Sequence, residues 1–143
     1  MGTQQLLLIV LSVIIVGVAI AVGISMFSGQ AYNSNVQAVA AELTNYAALV
    51  MQYWKTPASM GGAGQNISNV TVVSIANYIG FSGANNSITT DNGEFRVNNV
   101  SGTVITLKGF GKEKKGDNHP MVTTTIDVSN NQIGSTVSSA TGF

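Results

Sequence analysis

The chain has 143 residues, six Lys plus Arg against six Asp plus Glu, no formal net charge, and only 8% charged side chains. An ordinary globular domain carries roughly 25%. Balanced charge offers no general attraction to nucleic acid. The absence of Cys excludes disulfides, thiolate metal sites and thiol catalysis together.

The shortage of charge is uneven. From Met1 to Ala41 there is no Asp, Glu, Lys or Arg, and Glu42 is the first ionisable side chain. The segment Leu6 to Phe27 holds 22 residues, which as a helix measure roughly 33 Å, a membrane-crossing length. A secretory signal peptide shows a basic start, a shorter apolar run and a small-residue cleavage site. Here the basic start is missing and the helical pattern continues. An inserted helix normally needs Lys or Arg on its cytoplasmic flank, whereas Met1 to Gln5 supplies only the terminal amine. The expectation is that a basic leader preceded Met1 and was removed from the cytoplasmic side.

Beyond Gln30 the chain reads AYNSNVQAVAAELTNYAALVMQYWK, with Val36, Val39, Ala40, Leu43, Ala47, Val50 and Trp54 spaced by threes and fours. That spacing lines one helical face, while Asn35, Gln37, Glu42, Asn45 and Gln52 mostly fall off it. Pro57, Gly61, Gly62 and Gly64 supply the stop. One helix from about Thr3 to Lys55 is therefore expected, apolar all round over residues 1–27 and amphipathic over 28–55. Gly17, Ala21, Ser25 and Gly29 recur every fourth residue, a small-residue ridge of the kind that lets membrane helices approach closely. Gly and Ala are also simply common in such segments. Gly17, Gly23 and Gly29 each cost roughly 1 kcal/mol of helix propensity against Ala, so any local loosening is expected there.

From Pro57 the texture becomes β, and residues 56–143 read as a head domain. TVVSIANYIGF reads as a short helix with Val72, Ile75 and Ile79 on one side, or as a strand; its Asn77 and the closing Gly80 favour the helix. GEFRVNNV, GTVITLKGF, PMVTTTIDVS and NQIGSTVSS read as four strands separated by Asn, Gly and Ser turns. The expected class is α+β: a long N-terminal helical spike with a small C-terminal antiparallel meander packed on its upper half. GGAG, residues 61–64, reads as a flexible connector. GFGKEKKG lacks the spacing and the Ser or Thr of a phosphate-binding loop and reads as a solvated hairpin tip. His119, the one histidine, sits in KKGDNHPM as a turn residue with no second imidazole or thiol to build a metal site or triad. No enzymatic activity and no cofactor are expected. The aromatics Phe27, Tyr32, Tyr46, Tyr53 and Trp54 are unevenly spaced, which favours packing over electron transport. Four Asn-x-Ser/Thr sequons, at Asn66, Asn69, Asn85 and Asn99, are candidate glycosylation sites.

The opening residues Met1 to about Lys55, a few small or polar residues followed by an uninterrupted apolar helix and an amphipathic continuation, resemble the mature N-terminus of type IV pilins and pseudopilins. The β region agrees with that family in architecture only. The resemblance implies a prepilin peptidase that removes the leader and methylates the amine of Met1, an inner-membrane assembly platform, and a homopolymer whose helices leave the membrane to form the core of an extracellular filament. It further implies a separate cytoplasmic ATPase and a role in adhesion, surface motility or uptake. Most relatives carry glutamate where this chain has Gln5, which is thought to pair with a neighbour's terminal amine. A neutral amide can still accept a hydrogen bond without placing an ionised carboxylate in hydrocarbon, and Gln4 or Thr3 could share the task. Alternatively the glutamines stay hydrated at the membrane edge. The helix-breaking proline and the paired cysteines of many pilins are absent. A minor pilin or pseudopilin of a secretion system, and a monomeric membrane-anchored surface binding protein, are the alternative readings.

Overall fold

The computed structural model describes residues 2–141. Its elements are α1 (Gly2–Lys55), α2 (Val72–Ile79), β1 (Ser87–Thr89), β2 (Gly93–Ser101), β3 (Val104–Gly111), β4 (His119–Asp127) and β5 (Gln132–Ala140), with 3₁₀ turns at Ala58–Met60 and Ile67–Asn69. The arrangement is α+β: one antiparallel sheet in the order β1-β2-β3-β4-β5 lies against the second half of α1.

α1 has 54 residues and is about 81 Å long at ~1.5 Å per residue. It contains no Pro and passes through Gly17, Gly23 and Gly29 without a break, so no loosening is built into the helix there. Its buried stripe is Asn35, Val39, Leu43, Ala47, Val50 and Tyr53, the three-and-four spacing of a single face. Val39, Leu43, Ala47 and Val50 of the expected stripe are buried and Val36, Ala40 and Trp54 pack half-buried beside them, while Asn35, expected off this face, and Tyr53 belong to it.

Chain stop and head begin in one compact turn. The amide N–H groups of Ala63, Gly64 and Gln65 donate to the carbonyls of Tyr53, Thr56 and Trp54 at 2.9, 2.8 and 3.0 Å, satisfying acceptors that a helix end leaves open. A side chain at Gly62 would bring its Cβ within 2.2 Å of the Thr56 carbonyl oxygen. The 61–64 segment is therefore a packed helix cap rather than the flexible connector expected from its composition.

α2 is a short helix as its periodicity suggests. Thr71 accepts from the Ser74 N–H at 3.1 Å while the Ser74 hydroxyl accepts from the Thr71 N–H at 3.0 Å, a reciprocal cap. Gly80, at φ 86°, closes it in the left-handed conformation that glycine adopts at little cost. Ile75, Ala76 and Ile79 turn inward.

The sheet's inner face carries Phe95, Val97, Ile105, Leu107, Val122 and Ile126, all buried. In β3 burial alternates from exposed Val104 through buried Ile105, Leu107 and Gly109, and then Phe110 and Gly111 are buried as well, so the period of two holds over the first six residues and ends where the strand runs in beside Asn35. A register shift between Val97 and Asn99 leaves Asn98 as the extra residue of a bulge, which brings Val97 and Val100 both toward the core. β1, a three-residue edge strand pairing Ser87 with Arg96, was not foreseen. It is too short to display a period of two, and its SIT sequence merges with the surrounding Asn and Thr turn residues.

Candidate functional site: an uncovered helix and its latched head

The first half of α1 is the most unusual surface of the molecule. Sixteen large apolar side chains between Leu6 and Phe27 are exposed, and no residue from Gly2 to Ser28 is covered by the other described residues. At roughly 1.5–3 kcal/mol for each such side chain, the burial left unrealised in the isolated subunit is on the order of tens of kcal/mol. The helix is long and apolar enough to cross a membrane by length and composition. Two of its hydroxyls are satisfied within the helix: Ser12 donates to the Ile9 carbonyl at 2.8 Å and Ser28 to the Ser25 carbonyl at 3.0 Å. The polar groups that would oppose transfer to an apolar setting are thereby reduced.

Met1 lies outside the described residues. Thr3, Gln4 and Gln5 occupy the first turns of α1 and are exposed. Gly17, Ala21, Ser25 and Gly29 share a face of α1 by their spacing. A Cβ built on Gly17 or Gly29 meets nothing within 4 Å, so the ridge has no partner among the described residues.

A second constellation fixes the head to the helix. Asn35, nearly buried, donates from Nδ2 to the Asn92 carbonyl at 2.8 Å and accepts from the Glu113 N–H at 3.2 Å. Two turns further up, Glu42 accepts from the Thr90 hydroxyl at 3.0 Å and from the Asn92 side-chain amide. Asn35 and Glu42 therefore grip the β1–β2 turn at Thr90 and Asn92, while Asn35 also holds the chain after β3. The close fit is specific: a Cβ on Gly111 would fall 1.9 Å from Asn35 Oδ1. Glu42 also reaches Tyr46 electrostatically. Burial, and secondarily the Glu42 charge, push the Tyr46 hydroxyl above its ordinary pKa. Neither Asn35 nor Glu42 was singled out by sequence reasoning, although Asn35 is one helical repeat before Val39 and so in phase with the buried stripe.

The aromatic side chains of α1's second half serve the core. Tyr46 packs edge-on to Phe81 at 4.8 Å and tilted to Phe95 at 5.5 Å, and Tyr53 packs on Tyr78 at 5.1 Å. Tyr53 also donates to the Asn69 carbonyl at 2.7 Å.

No family model, curated protein or solved structure matches this chain.

The remaining candidates are scattered over the head. Asn66 accepts from the Ser68 N–H at 3.0 Å as the cap of its 3₁₀ turn, and Asn69 donates from Nδ2 to the Ala63 carbonyl at 3.1 Å. Asn85, at φ 59°, and Asn99, beside the β2 bulge, are exposed. Residues 112–118 form the tip between β3 and β4, closed by a bridge between Lys115 and Asn118, as the solvated-hairpin reading expects. His119 is the first residue of β4 rather than a turn residue, and its Nδ1–H donates to the Gly111 carbonyl at 2.8 Å. Beside it a recess of about 300 Å³ is lined by Thr89, Glu94, Phe110 and Lys112. At the β4–β5 turn, hydrogen bonds from Ser129 and then Asn130 lower the Asp127 carboxyl to about 2.

Proposed function

We propose that this chain is the structural, major subunit of a type IV pilus-like extracellular helical filament, inserted in the membrane before assembly. In this reading the charge-free half of α1 exchanges lipid for the matching halves of other copies, and the latched head is carried outside. One observation supports the reading above others: a single unbroken helix is uncovered and apolar all round through Phe27, then becomes the core of a folded head. A membrane anchor alone needs the apolar half. A filament also needs a stiff junction between anchor and head, which the Asn35 and Glu42 hydrogen bonds provide.

The small-residue ridge at Gly17, Ala21, Ser25 and Gly29 would let neighbouring helices approach. Gln5, with Gln4 and Thr3 beside it, would accept a hydrogen bond from the terminal amine of a neighbour. Asn85 and Asn99, whose side chains carry neither the cap made by Asn66 nor the bond from Asn69 to the Ala63 carbonyl, are the sequons best disposed to carry sugar. Adhesion, surface motility and uptake are the uses that such a fibre serves.

The test is to shear cells that make the protein, image the released material by negative-stain microscopy and identify its main band by mass spectrometry. Long fibres composed of this chain are expected. Recovery solely as a detergent-extracted membrane monomer would refute the filament reading and favour the anchored surface protein.

A further inference from the structure

The helical layer over the sheet is incomplete. α2 packs on β2 and against α1, and α1 packs on β3 and β4 with only a marginal approach to β5. Directly opposed residues of antiparallel strands share a face, and β4 and β5 pair Val122 with Val137, Thr124 with Ser135 and Ile126 with Ile133. The three β4 members are fully buried, whereas Val137 is 58% and Ile133 44% exposed. Among the described residues the inner face thus continues onto β5 without a cover.

Its dimensions match a helix. Strands lie about 4.8 Å apart, so β5 is displaced about 7 Å from a helix centred over β3 and β4. Helices pack at roughly 8–10 Å between axes, which places a neighbour of α1 directly over β5. We propose that this third position is filled by α1 of a second copy, through its charge-free first half. The inference rests on the filament reading above and names one of that filament's contacts.

Charge and area select this occupant. β5 has no charged residue among its nine, and neither has the stretch of α1 up to Ala41, so no ionic group is stranded when the two meet. Ile133 and Val137 alone offer too little apolar area to hold a separate dimer, for which about 800 Å² per partner is typical. The partner must bring apolar surface of its own, and the sixteen exposed side chains of α1 do so. Pairing β5 edge to edge with another strand would satisfy backbone groups while leaving Ile133 and Val137 uncovered. The axial fit also holds. Residues 28–55 of α1 span about 42 Å at ~1.5 Å each, so a copy displaced by roughly that distance sets its first half level with this head.

The chain has no Cys, which makes engineered cross-linking unambiguous. Val137→Cys is combined in separate full-length variants with Val10→Cys, Val16→Cys or Val22→Cys, with the same three made on Ile133→Cys. Fibres are then oxidised and run without reductant. A ladder of linked subunits replacing most of the monomer band in at least one pairing is expected. Fibres that form in both series without a ladder overturn the β5 contact and leave the filament reading standing. Dimers from Val137→Cys alone, showing β5 against β5, also overturn it. Failure of the unsubstituted chain to form fibres overturns both.

Discussion

Removing the latch between α1 and the head should loosen the head measurably, and not additively. Asn35→Ala deletes the 2.8 Å bond to the Asn92 carbonyl and the 3.2 Å bond from the Glu113 N–H. A net hydrogen bond contributes roughly 1 kcal/mol and an orphaned buried partner costs more, while the exposed Glu113 can turn to water. The expected loss is about 2 kcal/mol. Glu42→Ala deletes bonds from Thr90 and Asn92 to a half-buried carboxylate. Charge-assisted bonds contribute roughly 1.5–3 kcal/mol, reduced by solvent access to about 1.5 kcal/mol. Both residues act through Asn92, so the double variant should lose about 2.5 kcal/mol, less than the two losses together. At roughly 2–4 °C per kcal/mol for a chain of this size, Asn35→Ala falls by about 4–8 °C, Glu42→Ala by about 3–6 °C and the double by about 5–10 °C. Thermal unfolding of the detergent-solubilised chain, followed by near-ultraviolet circular dichroism, reads Tyr46 and Trp54 beside the core and not the micelle-bound half of α1. A Glu42→Ala midpoint within 1 °C of the parent, or strict additivity, would refute the latch.

Three further outcomes are expected. Gly17→Ala meets no neighbour in the subunit, so the monomer keeps or gains up to ~1 kcal/mol of helix stability while fibre melting falls; an unchanged fibre rejects the ridge. The Asp127 carboxyl is lowered from 3.8 to about 2 in the folded chain, so its contribution is complete above about pH 4 and disappears as the pH falls through about 2. Exchange protection of the Ser129 amide, which donates to Asp127, should fall over that window, and a flat profile would contradict the assignment. Gln5→Leu should lower fibre yield up to about tenfold, the equivalent of one hydrogen bond of ~1–1.4 kcal/mol, with membrane-resident subunit unchanged. Normal yield on immunoblots of the sheared fraction would leave the glutamine merely hydrated.

The elements legible in the sequence were those whose periodicity survives without context. The apolar run to Phe27 and the Val39, Leu43, Ala47, Val50 stripe announce α1, and the Thr71 and Gly80 boundaries enclose α2. β2 to β5 stand out because turn residues separate them. What escaped depends on contacts distant in the chain. Asn35 and Glu42 acquire their roles only when residues 90–92 and 113 fold back by 48 residues or more. Gly62 looks like linker material until Thr56 lies against it. The vacant position over β5 is invisible in QIGSTVSSA, whose alternating Ile133 and Val137 read as an ordinary half-buried strand; the placement of α1 over β3 and β4 leaves them bare.

A helical reconstruction of the sheared fibre by electron cryomicroscopy tests the central claim most directly. A bundle of the 2–28 segments of α1 at the fibre axis is expected, with heads outside and held at the Asn35 and Glu42 junction. A fibre axis built from heads, or the apolar half of α1 left facing solvent, would contradict it.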